Sequence, residues 1–415
     1  MLEVACIGID HHRTPVDLRE RLSVSPARLP EVLRTLRALP GVEEVVVIST
    51  CNRFEAYLGG AAVEDDALRA MAGLGGLCAE DLANHAHWHR GQAAIRHLFR
   101  VASGLESLVL GEDQIVAQVR GAYESARTLE TTGSRLNPLF QSALMVAREV
   151  RATTALGQHK MSVSSVAVDL AKQIHGDLRQ ARLLILGAGE MAELSVHYLL
   201  EQGVDRISIL NRSSERAMAL ANYANATVWP WSELVPALAA HDIVVSSTAA
   251  PHLVVMAADV RAAMAQRHGT PLVLIDLAVP RDIDPEVAGV EDAYRYDIDD
   301  LEAVVAANRK LRRDEIAPAE ALVDRHVTTF VAEARPSRVE TMAGVAAWFD
   351  DITGAEVDRL AGRMGLTDEA KVRELRHGMD RLANKFRHRL MAWARERGHA
   401  DAERALREIL ELDKS

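Results

Sequence analysis

The feature that most constrains the fold is an alternation of short apolar runs with helical segments that begins near residue 162. The segment SVSSVAVDLAKQIHG has helical spacing, and the apolar runs RLLILG, RISIL, DIVVSST and PLVLIDLA follow it, separated by further helical stretches. Continuous apolar runs of this length, placed between helices, are typical of βαβ units whose strands are buried on both faces. We therefore predict a parallel sheet covered by helices in this part of the chain.

A glycine-rich loop joins the first of these strands, Leu183–Leu186, to the next helix. Its residues are Gly187, Ala188, Gly189, Glu190, Met191 and Ala192. The first glycine permits a tight turn, the second lets the backbone approach a pyrophosphate, and the helix N-terminus supplies free N–H groups. Alanine is tolerated where the third glycine is usual. The pattern predicts a Rossmann-type domain that binds a dinucleotide; the alternative is a tight turn in a domain that has lost its cofactor.

The end of the second strand indicates which dinucleotide is bound. The run Ile207–Leu210 is followed by Asn211, Arg212 and Ser213 rather than by an acidic residue. An acidic residue would bind the ribose 2′-hydroxyl of NAD, whereas Arg and Ser can hold a 2′-phosphate by charge-assisted hydrogen bonds. We therefore predict NADPH as the cofactor. In the alternative interpretation Arg212 is a solvent-exposed residue and Ser213 is the N-cap of the following helix.

The rest of the chain has other patterns. Residues 2–8 and 44–48 are short β-rich runs with helical spacing between them, and residues 92–157 are mostly helical. No strand pattern remains after Asp299. A long helix is predicted there, with a kink at Pro318; its first apolar-face positions are Leu301, Val304, Val305, Asn308 and Leu311.

These patterns predict a multidomain α/β protein. Its parts are an α+β N-terminal domain at residues 1–158, a Rossmann-type domain at 159–300, and a long helix with an all-helical domain at 301–415. A terminal helical region of this kind is often a dimerisation element.

Composition narrows the class of protein. Of the 415 residues, 48% are hydrophobic and 26% charged, which excludes disordered and fibrous chains. No segment approaches the roughly 18 uncharged apolar residues of a membrane helix, so a cytosolic protein is expected. The net charge of −11 argues against non-specific phosphate binding. The one strongly basic stretch, residues 371–397, is interpreted as a solvated helix face.

The chain has three cysteines, Cys6, Cys51 and Cys78, without CxxC spacing. This number and spacing support neither a disulfide framework nor a thiolate zinc site. Cys51 follows the strand Val45–Ile48 in the segment STCNRFE, where hydroxyl, amide and guanidinium neighbours could hold it as a thiolate. A buried, inert cysteine is the other interpretation of these residues, and it is also the one for Cys6.

Several motifs occur in a specific order along the first three quarters of the chain. They are GIDHH from Gly8, TPV from Thr14, RER from Arg19, STCNRFE, HLFRVASGLESLVLGEDQ from His97, SVSSVAV from Ser162, GAGEMA, and NRS from Asn211. Together they resemble the glutamyl-tRNA reductase family, NADPH enzymes that begin tetrapyrrole synthesis from charged tRNA. The segment NKFRH at Asn384 only approximates the pattern of that family's helical domain.

The resemblance implies that Cys51 is the nucleophile that attacks the ester joining glutamate to the terminal ribose of tRNA. A carboxylate resists hydride because resonance lowers its electrophilicity, whereas an acyl thioester remains electrophilic. Hydride from NADPH then gives glutamate 1-semialdehyde and regenerates the cysteine.

Further site residues are implied by the same resemblance. The glutamyl-binding positions are Thr50, Asn52, Arg53, Ser107, Glu112, Asp113, Gln114 and Gln118. The Arg53 guanidinium is suited to bind the substrate's side-chain carboxylate bidentately. His97 matches the family's activity-critical histidine, which could assist the leaving ribose oxygen or orient the ester.

A run of histidines precedes His97 in the sequence. From the residues alone His97 is a helix-face histidine, and His85, His87 and His89 are equally plausible candidates for a functional role. No carboxylate or cysteine completes a ligand set at suitable spacing, so no metal site is expected.

The sequence therefore predicts a cytosolic, homodimeric, NADPH-dependent enzyme that reduces glutamyl-tRNA through a thioester on Cys51. The resemblance also implies a handoff of the aldehyde to glutamate-1-semialdehyde aminomutase, and the basic stretch at residues 371–397 could contact tRNA. Two alternatives remain at this stage. One is an NADP-dependent small-molecule oxidoreductase similar to shikimate dehydrogenase, and the other is a non-catalytic paralogue that binds NADPH or tRNA.

Overall fold

The computed structural model describes residues 3–154, 156, 162–301, 313–333, 338–366 and 368–396. The chain divides into two compact units, Met1–Thr328 and Thr329–Ser415. The first unit contains both predicted α/β parts, and the second contains most of the predicted helical part.

The N-terminal part is built on a four-stranded antiparallel sheet. Its elements in chain order are β1 Val4–Asp10, α1 Val16–Arg21, α2 Leu29–Arg37, β2 Val42–Ser49, β3 Arg53–Gly60, α3 Glu64–Gly75, α4 Ala79–Ala83, β4 His87–Arg90, α5 Gln92–Ala102, α6 Asp113–Thr128 and α7 Leu136–Thr153. The strand order is β2-β3-β1-β4. The central pair, β1 and β3, aligns Cys6 with Tyr57 and Gly8 with Glu55.

The two faces of this sheet differ in chemistry because side chains alternate along a strand. One face is apolar: Ala5, Ile7 and Ile9 of β1 pack with alternate residues of β2 and β3 and with α2 and α3. The other face carries the polar residues of the same strands, and it is also buried. Those residues are Cys6 and Asp10 of β1, Arg53, Glu55 and Tyr57 of β3, and His87 of β4.

The second part is a six-stranded parallel sheet with helices between its strands. Its elements are α8 Val163–His175, β5 Leu183–Leu186, α9 Glu190–Glu201, β6 Ile207–Leu210, α10 Ser214–Ala224, β7 Thr227–Trp229, α11 Leu234–Ala240, β8 Ile243–Ser246, α12 Ala257–Met264, β9 Leu272–Asp276 and β10 Ala293–Tyr296. The order β10-β9-β8-β5-β6-β7 reverses direction between β5 and β8. In such sheets ligands bind at the carboxyl ends of the strands beside this reversal.

Three helices complete the described chain: α13 Arg313–Glu333, α14 Arg338–Arg363 and α15 Glu369–Glu396. Pro318 lies inside α13, while most of the residues predicted to begin the long helix, 302–312, lie outside the described residues. In the second unit α14 packs against α15, and residues of the basic stretch on α15 are mostly exposed. No described helix combines the length and apolarity that a membrane crossing requires.

The structure confirms the predicted fold class and most of the predicted elements. The apolar runs named above form β1, β2, β5, β6, β8 and β9, and the predicted helices at residues 92–157 are α5 to α7. Strands β3, β4, β7 and β10 were not predicted. These strands are short or carry polar residues, as in HWHR of β4, so their apolar pattern is weak.

Gly8 allows the polar face to form, and this gives a test of the sheet. A Cβ at this position would lie 2.6 Å from Glu55 Cγ and 2.6 Å from the Phe54 carbonyl oxygen. We expect Gly8→Ala to lower the free energy of unfolding by about 1–3 kcal/mol, as overpacking does. The measurement is urea unfolding. Gly73→Ala, at an exposed position of α3, is the control, because nothing lies within 4 Å of its Cβ. Equal stability of both variants would contradict the packing described here.

Candidate active site

Cys51 lies at the tip of the hairpin that joins β2 to β3. The turn is closed by Thr50 N–H donating to the Arg53 carbonyl at 2.9 Å and by Asn52 N–H donating to Thr50 Oγ1 at 3.2 Å. The end of β1 supports it, since His11 N–H donates to the Asn52 carbonyl at 2.9 Å. The thiol is therefore presented by a turn that is tied to the central strand of the sheet.

Arg19 of α1 holds the same turn from the other side. Its Nη1 donates to the Cys51 carbonyl at 2.5 Å, and its Nε donates to the Thr14 carbonyl at 3.0 Å. Its Nη2 pairs with Asp299, whose other carboxylate oxygen accepts from Val16 N–H at 2.8 Å. Asp299 lies just beyond β10, so this buried arginine links the backbone of Cys51 to the end of the second sheet.

The side chain of Cys51 faces the second part of the unit. It is half-buried and packs against the apolar cluster that Val16, Leu108 and Val109 form with the parallel-sheet residues. Met191 of the glycine-rich loop packs against the same cluster. Gln114 joins the two regions, because its Nε2 lies 3.2 Å from Met191 Sδ. The thiol and Met191 of the glycine-rich loop therefore pack against the same apolar cluster, and Gln114 ties α6 to that loop.

These surroundings keep the thiol protonated. Burial raises the pKa of Cys51 to about 12, and the Glu112 carboxylate adds to the rise. Arg19 and Arg53 lower this pKa, but by less. The neighbouring positive charge that the sequence indicated is present, yet it does not give a thiolate in this structure, because removal from water disfavours the charged form more strongly.

Glu55 is the centre of the buried polar face. Its side chain has no solvent exposure, Oε1 accepts from Arg53 Nη1 at 2.6 Å and lies 2.9 Å from His97 Nε2, and Oε2 accepts from Tyr57 Oη at 2.8 Å. Burial by itself would raise the pKa of Glu55, but His97 and Arg53 outweigh it and hold that pKa well below its usual range. Glu55 is thus an ionised carboxylate surrounded by donors.

Two predicted site residues are organised by this carboxylate. Arg53 is only 2% exposed, and its second terminal nitrogen donates to the Glu106 carbonyl. Part of the guanidinium predicted to clamp a substrate carboxylate is therefore already bonded within the protein. His97, on α5, bonds to Glu55 through Nε2. The sequence named Arg53 and His97 separately, whereas Glu55, which brings them together, was missed.

The other predicted substrate-binding residues lie on the hairpin turn, on the segment between α5 and α6, and on α6. Ser107, Glu112 and Gln114 are buried, Thr50 and Gln118 are half-buried, and Asp113 is the first residue of α6. Asn52 is 6% exposed, and its Oδ1 has no hydrogen-bond partner in the part of the chain that the structure describes. A buried acceptor of this kind is available for an N–H donor of a ligand.

The glycine-rich loop has the geometry that a dinucleotide requires. Gly187 has φ +110°, and a Cβ there would lie 2.7 Å from the Ser247 carbonyl oxygen. Gly189 is the N-cap of α9 and faces open space, while Ala192 is fully buried in the first turn. Ser247, after β8, has a buried Oγ without a partner among the described residues. An open helix N-terminus beside an unpaired hydroxyl fits a pyrophosphate.

A cavity of about 370 Å³ lies at the carboxyl end of β6. It is lined by Asn211, Arg212, Trp231, Thr248, Ala249, Ala250, Pro251, His252, Leu253 and Val254. Arg212 is exposed there. The Ser213 hydroxyl accepts from Arg216 N–H at 3.4 Å and caps α10, as the alternative interpretation had it. The segment at residues 248–254 was missed by sequence, although it follows the end of a central strand, where ligands of such sheets bind.

The environment of Cys51 predicts slow alkylation of this thiol in the free protein. In a Cys78→Ser background, the rate with iodoacetamide should keep rising with pH between about 7 and 10, because only the thiolate reacts. Glu112→Gln should raise the rate, since each unit by which the pKa falls increases the thiolate fraction about tenfold. The rate is measured by mass spectrometry of the Cys51 peptide.

Glu124→Gln is the matched control. Glu112 is the residue directly before α6, and Glu124 is an exposed residue on that helix. This substitution should leave the Cys51 rate unchanged. A rate that reaches its plateau below about pH 9 would contradict the raised pKa of this thiol.

Three models of known protein families match successive parts of the chain. The model described as the N-terminal domain of glutamyl-tRNA(Glu) reductase matches residues 7–154, that of shikimate / quinate 5-dehydrogenase matches 169–304, and that of the glutamyl-tRNA(Glu) reductase dimerisation domain matches 318–412. The three matches follow the two sheets and the helices described above.

Individual relatives agree with these models over the full length. The glutamyl-tRNA reductase of Sorangium cellulosum is 39% identical, over 98% of this chain and 82% of that protein. The one from Marinobacter nauticus is 37% identical, over 99% of this chain and 97% of that protein. Among solved structures, the glutamyl-tRNA reductase from Methanopyrus kandleri is 33% identical over the whole of both chains, with a TM-score of 0.46. The identity to these sequence relatives, and the share of the chain that they cover, show that the chain belongs to the glutamyl-tRNA reductase family.

Proposed function

We propose that this chain reduces glutamyl-tRNA to glutamate 1-semialdehyde through a thioester on Cys51 and releases free tRNA. This is the reaction of the family to which the chain belongs, and it is the first step of tetrapyrrole synthesis. The observation that best supports the role of Cys51 is its position on a hairpin tip that packs against the same apolar cluster as Met191 of the glycine-rich loop. The alternative of a small-molecule dehydrogenase is disfavoured, because the match to that family is confined to residues 169–304.

The acyl transfer assigned to Cys51 balances in atoms and charge. A bond forms from Sγ to the ester carbonyl carbon, the bond from that carbon to the ribose oxygen breaks, and the thiol proton ends on the ribose oxygen. Since the pKa of the free thiol is about 12, the proton has to leave as the ester arrives. Glu112 is suited to receive it, because it is the carboxylate with the strongest effect on this thiol.

The glutamyl group offers charges that complement the residues around the hairpin. Its α-ammonium group is an N–H donor of the kind that the buried, unpartnered Asn52 Oδ1 can accept. Its side-chain carboxylate is assigned to Arg53, through the guanidinium donors that Glu55 and the Glu106 carbonyl do not use. The orientation of Arg53 by Glu55 lowers the entropy lost when the carboxylate binds.

His97 is assigned to the leaving ribose rather than to the thiol. Its Nε2 is held by Glu55, so the ring is fixed in orientation before the substrate binds. A fixed imidazole can orient the ester and stabilise the departing oxygen. Glu55 acts through His97 and Arg53 and is therefore a positioning residue.

The match to a dehydrogenase domain supports a nicotinamide cofactor, and the residues at the ends of β5, β6 and β8 fit one. Gly187, Gly189 and the N-terminus of α9 would hold the pyrophosphate. A reduced nicotinamide bound there supplies the hydride that converts the thioester to the aldehyde. The proposal of NADPH rests on Arg212, which is exposed in the cavity at the end of β6 where no acidic residue follows the strand.

The C-terminal helices match a dimerisation domain, which supports a homodimer. Handoff of the aldehyde to glutamate-1-semialdehyde aminomutase is proposed on chemical grounds, because a free amino aldehyde is reactive in water. We retain the domain boundaries at residues 158/159 and 300/301 as proposals.

The thioester assignment predicts a trapped acyl-enzyme. With tRNA charged with radiolabelled glutamate and no cofactor, the Cys78→Ser protein should retain label after denaturation and lose it on treatment with hydroxylamine, which cleaves thioesters. Cys51→Ala should retain none and should not oxidise NADPH, since no other residue carries the acyl group. Uncharged tRNA and free glutamate are controls for NADPH oxidation.

Label retained by Cys51→Ala would exclude this cysteine as the acyl carrier. If the protein oxidised NADPH with the keto form of a small hydroxy acid but not with charged tRNA, that result would instead support a small-molecule dehydrogenase.

The 2′-phosphate assignment predicts a selective cofactor defect. Arg212→Ala should raise the KM for NADPH about tenfold or more, because a charge-assisted hydrogen bond contributes roughly 1.5–3 kcal/mol, while the KM for NADH should change little. Formation of the acyl-enzyme should be unaffected. The control is Arg206→Ala, because Arg206 is an exposed arginine directly before β6, at the opposite end of that strand from Arg212. An unchanged KM for NADPH in Arg212→Ala would contradict the assignment.

A further inference from the structure

The buried polar face contains a cluster in which the proposed reaction gives a role to His97 but none to Cys6 or His87. Ligand atoms of Cys6, His87 and His97 all lie within 4.8 Å of one another, and all three residues are buried. Glu55 Oε1 is beside them, 2.9 Å from His97 Nε2 and 3.8 Å from His87 Nε2. Sulfur, imidazole and carboxylate atoms thus converge on one point.

Strand register explains why residues so far apart in sequence meet. Cys6 pairs with Tyr57 and His89 on the neighbouring strands, and Gly8 pairs with Glu55 and His87. Because Gly8 has no side chain, Glu55 and His87 can approach each other across β1. His97 comes from α5, which packs on this face against β4 and β1.

The two ring nitrogens of His87 have the surroundings that a metal-binding histidine requires. The residue is 7% exposed, and its Nε2 is buried with no hydrogen-bond partner among the described residues. Its other nitrogen, Nδ1, lies 3.6 Å from Asp10 Oδ2. Metal-binding histidines commonly direct one nitrogen to the ion and the other to a carboxylate, which fixes the tautomer. Without such an ion, a buried imidazole nitrogen that has no hydrogen-bond partner destabilises the fold, because no interaction offsets its removal from water.

We propose that Cys6, His87 and His97 bind a zinc ion, with Glu55 Oε1 as the fourth ligand. One thiolate, two imidazoles and one carboxylate are ligands that Zn²⁺ accepts in tetrahedral geometry. The nearby cavity of about 550 Å³ is lined by His87 and His97 and gives an entry route from solvent. The site was not predicted from sequence, because its cysteine and carboxylate come from strands distant from the histidine-rich run.

The protonation states agree with such a site. Burial lowers the pKa of His87 to about 4, so its imidazole is neutral near neutral pH, as a ligand must be. Burial raises the pKa of the Cys6 thiol well above its usual value, and Glu55 adds to the rise. Binding therefore breaks the S–H bond of Cys6, releases that proton to solvent and forms the S–Zn bond. Zinc affinity should increase with pH for this reason.

The proposal goes beyond the proposed function, and it is tested without an activity assay because His97 belongs to both. The full-length protein is stripped of metal with a chelator under reducing conditions and titrated with Zn²⁺ against a chromophoric chelator. We expect one equivalent per chain and release of a proton in weakly buffered solution. Substitution with Co²⁺ should give a thiolate-to-cobalt charge-transfer band in the near ultraviolet and the visible bands of tetrahedral cobalt.

Variants identify the ligands. Cys6→Ala should lose the charge-transfer band and the proton release, and His87→Phe should lower Zn²⁺ affinity at least about tenfold, as loss of even an outer partner of a metal ligand does. Cys51→Ala and Cys78→Ser are matched controls that should retain one equivalent and the band. Circular dichroism and thermal unfolding of the stripped proteins show whether each variant is folded.

Two outcomes would overturn the proposal. One is the absence of stoichiometric Zn²⁺ binding by the folded wild-type chain. The other is a charge-transfer band that persists in Cys6→Ala or disappears in Cys51→Ala, because either result places the metal on a different thiol. If Cys6→Ala does not fold, the Zn²⁺ affinity of His87→Phe decides the question.

Discussion

The active-site half of the molecule depends on one buried charge, the carboxylate of Glu55. An ionised carboxylate removed from water is costly unless it is paired and hydrogen-bonded. Glu55 meets this condition through Arg53, His97 and Tyr57, and in doing so it fixes the orientation of two residues to which the proposed reaction assigns substrate contacts. Loss of Glu55 would leave a buried guanidinium unpaired, so its effect on stability and on catalysis cannot be separated by a simple deletion. The carboxylate is accommodated because Gly8 leaves the space above β1 free.

A second constraint is the attachment of the turn that carries Cys51 to the neighbouring sheet. Arg19 bonds to the Cys51 carbonyl and pairs with Asp299, and Arg281, which follows β9, bonds to Glu20 of α1 at 2.8 and 3.0 Å. Both arginines are largely removed from solvent, where charge-assisted hydrogen bonds are stronger than on a surface. In the proposed reaction, the charged tRNA and the hydride donor have to reach the acyl group at Cys51 one after the other. These contacts hold the turn of Cys51 in one position relative to the parallel sheet for both steps.

Patterns that depend on neighbouring residues were predictable from sequence, and contacts between distant strands were not. The apolar runs and the glycine-rich loop encode local structure, so the parallel sheet and the loop at Gly187 followed from them. The polar face did not, because Arg53, Glu55 and Tyr57 alternate with apolar residues in a strand that was not recognised, and β4 consists of HWHR. The same limit applies to Arg19: the motif was noted, but its bond to Cys51 depends on how α1 packs. The expected stabilisation of the thiolate failed because sequence shows adjacent charges and does not show loss of water.

The high pKa of Cys51 suits the proposed role of this thiol, which is to react with the glutamyl ester and not with other electrophiles. A permanent thiolate on an accessible turn would react with oxidants and with other electrophiles, whereas a protonated thiol in an apolar contact is unreactive. In the proposed reaction, glutamyl-tRNA would bring an ammonium group next to the thiol, and a positive charge favours the thiolate. Binding of the correct acyl group would thereby lower the pKa of Cys51. Glu112 opposes ionisation of the thiol in the free protein, and its neutralisation by the departing proton would remove that opposition, so under this proposal both effects act only when the substrate is present.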